Sequence, residues 1–190
     1  GLRKEDLKKI AEAENKTLSG YKATLMVCTG MDCVSSKGIE ILNKLKTLLK
    51  EKNLDKEYLA VGTGCNGFCS VGPSMIVQPE GIFYQRLKLK DVEEIVESHL
   101  IANKPVERYL YKDPVTGGIN KTLEEIKFFS NQKLIVLRNH GLIDPENINH
   151  YIAKGGYDTL RKVLEDNNPE GIIQTVIKSG IRGRGGGGFP

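Results

Sequence analysis

No run in this 190-residue chain approaches the roughly 18 consecutive apolar residues of a membrane-spanning helix. The first residues, Gly1 to Asp6, carry no apolar stretch of the signal-peptide kind, so the expected compartment is the cytoplasm. Charge of one sign is scarce too. The formal net charge is only +4, with lysines interleaved among acids along helix-like segments, which reads as solvated helix faces and gives nucleic acid no basic arm to bind. The chain has four cysteines and no Cys-x-x-Cys, so a thiol–disulfide redox motif is excluded, and nothing points to a secreted disulfide framework.

The four cysteines are grouped. Four residues separate Cys28 from Cys33 and three separate Cys65 from Cys69, with Gly30, Gly64, Gly67 and Gly72 beside them. A helix pattern and a short apolar run lie between the pairs. A two-iron, two-sulfur cluster takes four thiolates, two per iron. Its charge is negative, and glycine-rich turns can surround it with backbone N–H donors at positive φ. A helix opening near Ser35–Ser36 adds a favourable N-terminus. The reading is one 2Fe-2S site built from two loops of a small α/β fold. Structural zinc also accepts four cysteines, and spacing leaves that alternative open.

Along the chain, residues 3–18 read as a helix. Ala23–Val27 is a buried strand running into Cys28, and residues 36–51 form a helix with Ile41, Leu42, Leu45, Leu48 and Leu49 on one face. Tyr58–Val61 is a second strand. Pro73–Val77 and Gly81–Tyr84 make a hairpin. Asp91 and Glu94 have the spacing of a capping box opening a helix to about Leu100. The order βαβ then ββα suits a thioredoxin-like fold. Residues 101–122, with Pro105, Pro114, Gly117 and Gly118 and little periodicity, read as a linker that Tyr109 and Tyr111 anchor on a neighbouring surface. The expected division is a domain over 1–103, a linker over 104–127 and a second region over 128–190. In that region Leu134–Leu137 reads as a strand, Asp144–Pro145 as a helix start, 157–166 as a helix, and Asn168–Pro169 as a third start. His140 reads as a loop-capping residue rather than a ligand. The final run, Gly180 to Pro190, is compatible with a flexible tail, an arginine–glycine RNA segment or a phosphate or flavin cradle.

The cysteine pattern, with Val71-Gly72-Pro73 after the second pair, resembles the thioredoxin-like 2Fe-2S ferredoxins, including the cluster-bearing partner of the flavoprotein in respiratory NADH dehydrogenase. The resemblance covers about the first hundred residues. Further on, the runs Gly141–Pro145, Tyr151–Tyr157, Pro169–Ile173 and Ser179–Pro190 are similar to successive signatures of the FMN-binding, NADH-oxidising flavoproteins. That likeness implies an FMN loop at Gly183, Arg184, Gly185, Gly186, Gly187 and Gly188. The chain stops inside this motif. An N-terminal portion of a longer subunit is therefore expected, whose remaining FMN and NAD(H) contacts and 4Fe-4S ligands lie downstream.

The fold class is thus α/β: a thioredoxin-like 2Fe-2S ferredoxin domain, a linker, and the mostly helical start of a flavoprotein domain. A ferredoxin domain fused ahead of the flavoprotein resembles the diaphorase subunits of multimeric, often electron-bifurcating, iron hydrogenases. It implies an electron relay in an NAD(P)H-linked oxidoreductase, with iron–sulfur subunits as partners. The fragment itself is expected to carry no catalytic residue. Respiratory NADH dehydrogenase, NAD-linked formate dehydrogenase and, in another class, a zinc-stabilised interaction module are the alternatives.

Overall fold

The computed structural model describes residues 3–189. Helix α1 (Lys4–Ser19) opens with the Arg3 N–H donating to the Asp6 carboxylate at 3.0 Å. A four-stranded sheet follows, built from β1 (Ala23–Cys28), β2 (Tyr58–Thr63), β3 (Met75–Gln78) and β4 (Ile82–Tyr84). Its order is β2-β1-β3-β4, with β2 parallel to β1 and the other neighbours antiparallel.

Between β1 and β2 lie a short helix α2 (Met31–Ser35) and the longer α3 (Gly38–Glu51). The helix expected to open near Ser35–Ser36 is therefore two helices. Cys33 sits inside α2, and Lys37, at φ 73°, turns the chain into α3.

Side chains alternate across the sheet because the strand period is two residues. Leu25, Val27, Ala60, Met75, Val77, Ile82 and Tyr84 face the layer built by α3 and the helix after β4. Met26, Val61, Ile76 and Phe83 face a second, smaller core with Val71, Tyr111 and Ile126. Both faces are thus covered, which is why the strands read as unbroken apolar runs. Each fully buried aliphatic side chain contributes about 1.5–3 kcal/mol.

After β4, α4 (Asp91–Glu94) continues as π-helical turns over Ile95–Ile101. The capping box does not form. Asp91 accepts the Lys88 N–H at 2.8 Å, and Glu94 pairs with Arg108 and accepts from the Tyr109 hydroxyl. Residues 104–127 lie along β4. The Phe83 N–H donates to Lys121 and the Gln85 N–H to Tyr109, both at 2.8 Å. Val106, Leu110, Tyr111 and Ile126 are buried, and β5 (Tyr111–Lys112) pairs with β6 (Ile119–Asn120). The outer edge of a sheet leaves backbone donors unpaired unless something covers it. This aperiodic segment is that cover.

A short helix α5 (Lys127–Ser130) comes next. The strand expected at Leu134–Leu137 is absent. These residues form an exposed turn with Val136 90% accessible. Helix α6 (Ile148–Ala153) starts three residues later than Pro145. Asn147 caps it, accepting the Asn149 N–H at 3.0 Å, whereas Asp144 is used in a turn, accepting from the Glu146 N–H. Then come α7 (Asp158–Asp166) and α8 (Pro169–Ser179), the latter capped by Asn168 accepting from the Gly171 N–H at 2.9 Å. Helix α6 packs on α1, where buried His150 meets Glu14 at 3.1 Å.

Candidate metal centre at the paired cysteines

The parallel pairing of β1 and β2 decides where the cysteines go. Parallel strands end on the same side of a sheet, so the loops that leave them meet. Cys28 is the last residue of β1 and lies in register with Thr63, the last residue of β2. The Thr29 N–H and hydroxyl both donate to the Thr63 carbonyl at 2.9 Å, tying the two exits together. Cys28 and Cys33 are buried, while Cys65 and Cys69 are exposed, with sulfurs 3.7 Å apart.

Two glycines let the loops close. A Cβ on Gly30 would stand 2.6 Å from the Cys65 Cβ, and one on Gly72 would stand 2.7 Å from the Cys33 sulfur. Hence Gly30 joins the first loop to the second pair, and Gly72 joins the second loop to the first. Of the four glycines expected at positive φ, only Gly67 has it, at +70°, and its N–H donates to the Cys65 sulfur at 3.3 Å. Gly30 and Gly72 serve close approach instead.

The electrostatics favour the protonated thiol at Cys33 and Cys69. Burial first, and then the Cys28 thiol, push Cys33 up to about 12. The Asp32 carboxylate first, and then Cys65, push Cys69 up to about 12. A bound cation reverses such shifts, since coordination deprotonates the thiol. Among the described residues no three His, Cys, Asp or Glu side chains gather tightly enough to hold one ion. A two-iron cluster asks for two pairs of thiolates, and that donor set fits Cys28 with Cys33 and Cys65 with Cys69.

Two features of the surroundings escaped the sequence reading. Phe68, between the exposed cysteines, stacks on Phe128 with centroids 4.6 Å apart and planes 7° apart, and meets Phe129 edge-on at 5.5 Å. It pins the second loop to the smaller core. Its placement among Cys65, Gly67 and Cys69, and the Phe128–Phe129 pair far downstream, were the available signal. Secondly, the loop at 139–145 packs beside Cys65. The Thr63 hydroxyl donates to the Ile143 carbonyl at 3.3 Å, the Gln78 amide to Gly141 at 3.4 Å, and His140 lines a small depression of about 200 Å³ with Gly64 and Cys65. Burial pushes the His140 imidazole below its ordinary value, opposed by a hydrogen bond to the Gly64 backbone.

The glycine run is exposed over residues 183–187, with Gly188 half-buried, and it folds on itself. The Gly183 N–H donates to Phe189 at 2.7 Å and the Arg182 guanidinium to Gly188 at 2.9 Å. Among the described residues, the hydrogen bonds of 180–189 are all local to the segment and the end of α8. Pro190, which completes the motif, lies outside the described residues.

The thioredoxin-like 2Fe-2S ferredoxin family matches residues 16–100, the segment that holds the sheet and all four cysteines. A 2Fe-2S ferredoxin of Clostridium pasteurianum is 41% identical over 76 residues, covering 40% of this chain and 74% of that protein. The chain belongs to this ferredoxin family. A subunit of an NADP-reducing hydrogenase of Solidesulfovibrio fructosivorans, HndC, is 52% identical over 59 residues, 31% of this chain and 12% of that subunit. A subunit of an NADH-quinone oxidoreductase of Rhizobium meliloti is 45% identical over 56 residues, 30% of this chain and 13% of its own length. The matched segments therefore span three quarters of a small ferredoxin but about an eighth of these two larger subunits. The chain is an electron-transfer 2Fe-2S protein related to subunits of NAD(P)-linked oxidoreductase complexes. Among the described residues no helix is long and apolar enough to cross a membrane.

Proposed function

We propose that Cys28, Cys33, Cys65 and Cys69 hold one 2Fe-2S cluster, and that the chain is the electron-relay portion of an NAD(P)H-linked flavin and iron–sulfur oxidoreductase subunit. The observation that carries this is the convergence of two cysteine pairs at the ends of parallel β1 and β2, with Gly30 and Gly72 leaving no room for a Cβ against Cys65 and the Cys33 sulfur. When bound, the cluster supplies one-electron storage. The chain's own residues do the rest. Buried Cys28 and Cys33 fix one side of the site away from solvent, the Gly67 N–H donates toward the Cys65 sulfur, and exposed Cys65 and Cys69 leave the other side open to a partner.

The same reading gives Gly183, Arg184, Gly185, Gly186, Gly187 and Gly188 to the FMN site of the intact subunit. Glycine amides can approach a phosphate or ring closely and Arg184 adds positive charge. The remaining flavin, NAD(H) and 4Fe-4S sites are assigned to sequence beyond Pro190, the domains to 1–103 and 128–190 with 104–127 between them, and the compartment to the cytoplasm. The hydrogenase relative at 52% identity supports a hydrogenase-type complex. The rhizobial relative keeps a respiratory NADH dehydrogenase as the second reading.

The test is anaerobic reconstitution with iron and sulfide, which should give about two of each per chain. Each cysteine changed singly to serine should shift or abolish the EPR signal of the reduced protein. Zinc as the sole bound metal, or four variants with unchanged signals, would overturn the assignment.

A further inference from the structure

The two halves of the cysteine site are anchored differently. Cys33 sits inside α2, where the Val34 N–H donates to Gly30 at 2.9 Å and the Ser36 N–H to Asp32 at 3.1 Å, and the Cys28 N–H donates to Ser74 at 2.9 Å. Residues 64–67, around Cys65, make no backbone–backbone hydrogen bond among the described residues. The Gly67 N–H donates to the Cys65 sulfur instead, and the buried Asn66 amide reaches the Ser74 hydroxyl only at 3.4 Å. A ligand loop with neither ladder nor helix needs support from another element if its geometry is to hold within the about 0.5 Å that a working site demands.

That support comes from the second region. The loop over residues 139–145 is bonded to the last residue of β2, where the Thr63 hydroxyl donates to Ile143 at 3.3 Å, and to the last residue of β3, where the Gln78 amide donates to Gly141 at 3.4 Å. Between these bonds the His140 imidazole hydrogen-bonds the Gly64 backbone, one residue before Cys65. Gly141 has φ 65°, a conformation that favours glycine. A Cβ there would stand 2.8 Å from the Ile76 Cδ1 and 3.9 Å from the Asn66 Oδ1, so the loop backbone lies directly against β3 and the cysteine loop. The far end of the loop is fixed as well. The Asp144 N–H donates to His150 Nδ1 at 3.0 Å, which leaves Nε2 to carry the proton toward the Glu14 carboxylate on α1, 3.1 Å away. The loop is thus tied to the α1–α6 packing on one side and to the approach to Cys65 on the other.

We infer that the 139–145 loop is a positioning brace for Cys65, so that the second region forms part of the cysteine site although it lies outside the ferredoxin segment 16–100. The inference deepens the relay reading and rests on it for the identity of the bound group. His140, Gly141 and Ile143 act through the Thr63–Gly64 backbone that carries Cys65, which makes them positioning residues. Groups that orient metal ligands in this way are worth about 10–100-fold in metal affinity.

The test is run on the full chain. In the metal-free protein, NMR relaxation of the backbone amides of residues 64–67 should give order parameters near about 0.85 in the parent and below about 0.6 in His140→Ala and in Gly141→Ala. Thr63→Val, which keeps the volume and deletes the bond to Ile143, should fall between them. Leu49→Ala removes a side chain buried in the larger core; it should destabilise the fold and leave residues 64–67 rigid. After reconstitution with iron and sulfide, the two loop variants should release iron to a ferrous chelator about tenfold faster than the parent or more, and the EPR signal of the reduced state should shift. Mobile 64–67 residues in the parent, no loss of order in the loop variants, an equal loss in Leu49→Ala, or loaded variants with unchanged iron release and an unshifted signal would each overturn the brace. A parent that takes up no iron and sulfide, yet loses order at 64–67 only when the loop contacts are removed, would refute the relay and not the brace.

Discussion

Gly72→Ala separates what folding needs from what the cluster needs. Gly72 has φ −71° and ψ 165°, a backbone conformation any residue adopts, so the substitution acts through its new methyl group alone. That methyl would stand 2.7 Å from the Cys33 sulfur and 3.4 Å from the Cys69 carbonyl oxygen. The second contact is ordinary. The first requires the sulfur to retreat by about 1 Å to reach normal van der Waals separation. In the metal-free protein the thiol can turn away at the cost of a poorer rotamer, about 1 kcal/mol. A ligand sulfur has no such freedom, because metal–ligand distances hold within about 0.2 Å. Urea denaturation of the metal-free variant should therefore shift by no more than about 1–2 kcal/mol. Its iron and sulfide content after reconstitution should fall severalfold, and any remaining EPR signal should move. Gly64→Ala is the control, since nothing lies within 4 Å of its Cβ position and its φ is not positive. A Gly72→Ala protein with a full complement of iron and an unshifted signal would show that Cys33 is not a ligand, and the pairing argument would fail with it.

Phe68→Ala should cost the metal-free protein about 2–4 kcal/mol in urea melts, because one half-buried ring loses its stack on Phe128 and its edge contact with Phe129. Phe128→Ala should cost less, its ring being 39% exposed, and the reverse order would refute this placement of the loop. Burial holds His140 neutral in the folded state below its ordinary value, so the unfolded chain takes up a proton first as pH falls through about 6.5. Stability should drop across that window and level off below the folded value. His140→Gln should remove that component of the slope, and an opposite slope in the parent would contradict the sign. The 190-residue chain alone should bind FMN weakly, since residues 180–189 satisfy one another and offer only part of a pocket. Submicromolar, stoichiometric quenching of flavin fluorescence, lost on deleting 180–190, would refute that.

What was legible in the sequence was what has a period or a fixed chemical spacing. The leucines of α3, the apolar runs of β1, β2 and β3, and the two cysteine pairs are all of that kind. Residues 104–127 have no period because they are shaped by another element's needs. Leu110 bridges to Tyr84 and Thr122 to Ile82 to cover the β4 edge, a role invisible without the sheet. The anchoring role read for Tyr111 fits its burial against Phe68 and Phe83. At Asp144–Pro145 the local start signal lost to tertiary context. His150 accepts the Asp144 N–H at 3.0 Å and faces Glu14 on α1, so the chain is held in a turn until Asn147 can cap α6. Leu134–Leu137 has strand composition but joins no ladder among the described residues, and composition alone makes none.

The placement of both cysteine loops at the ends of β1 and β2 sets an order of events during biogenesis. Cys33 and Cys65 are 32 positions apart, and only the β1–α2–α3–β2 unit brings their loops together. Closing that distance costs chain entropy before any ligand contact can repay it. Either cysteine pair can meet a metal ion early in an unfolded chain, but the four-thiol site exists only once the parallel pair has formed. On the proposed ligand set, cluster delivery would thereby be gated by folding. A donor that releases iron and sulfide only to a preformed site would ignore nascent or misfolded chains, and the colour of the reconstituted protein becomes a readout of how much of it has folded.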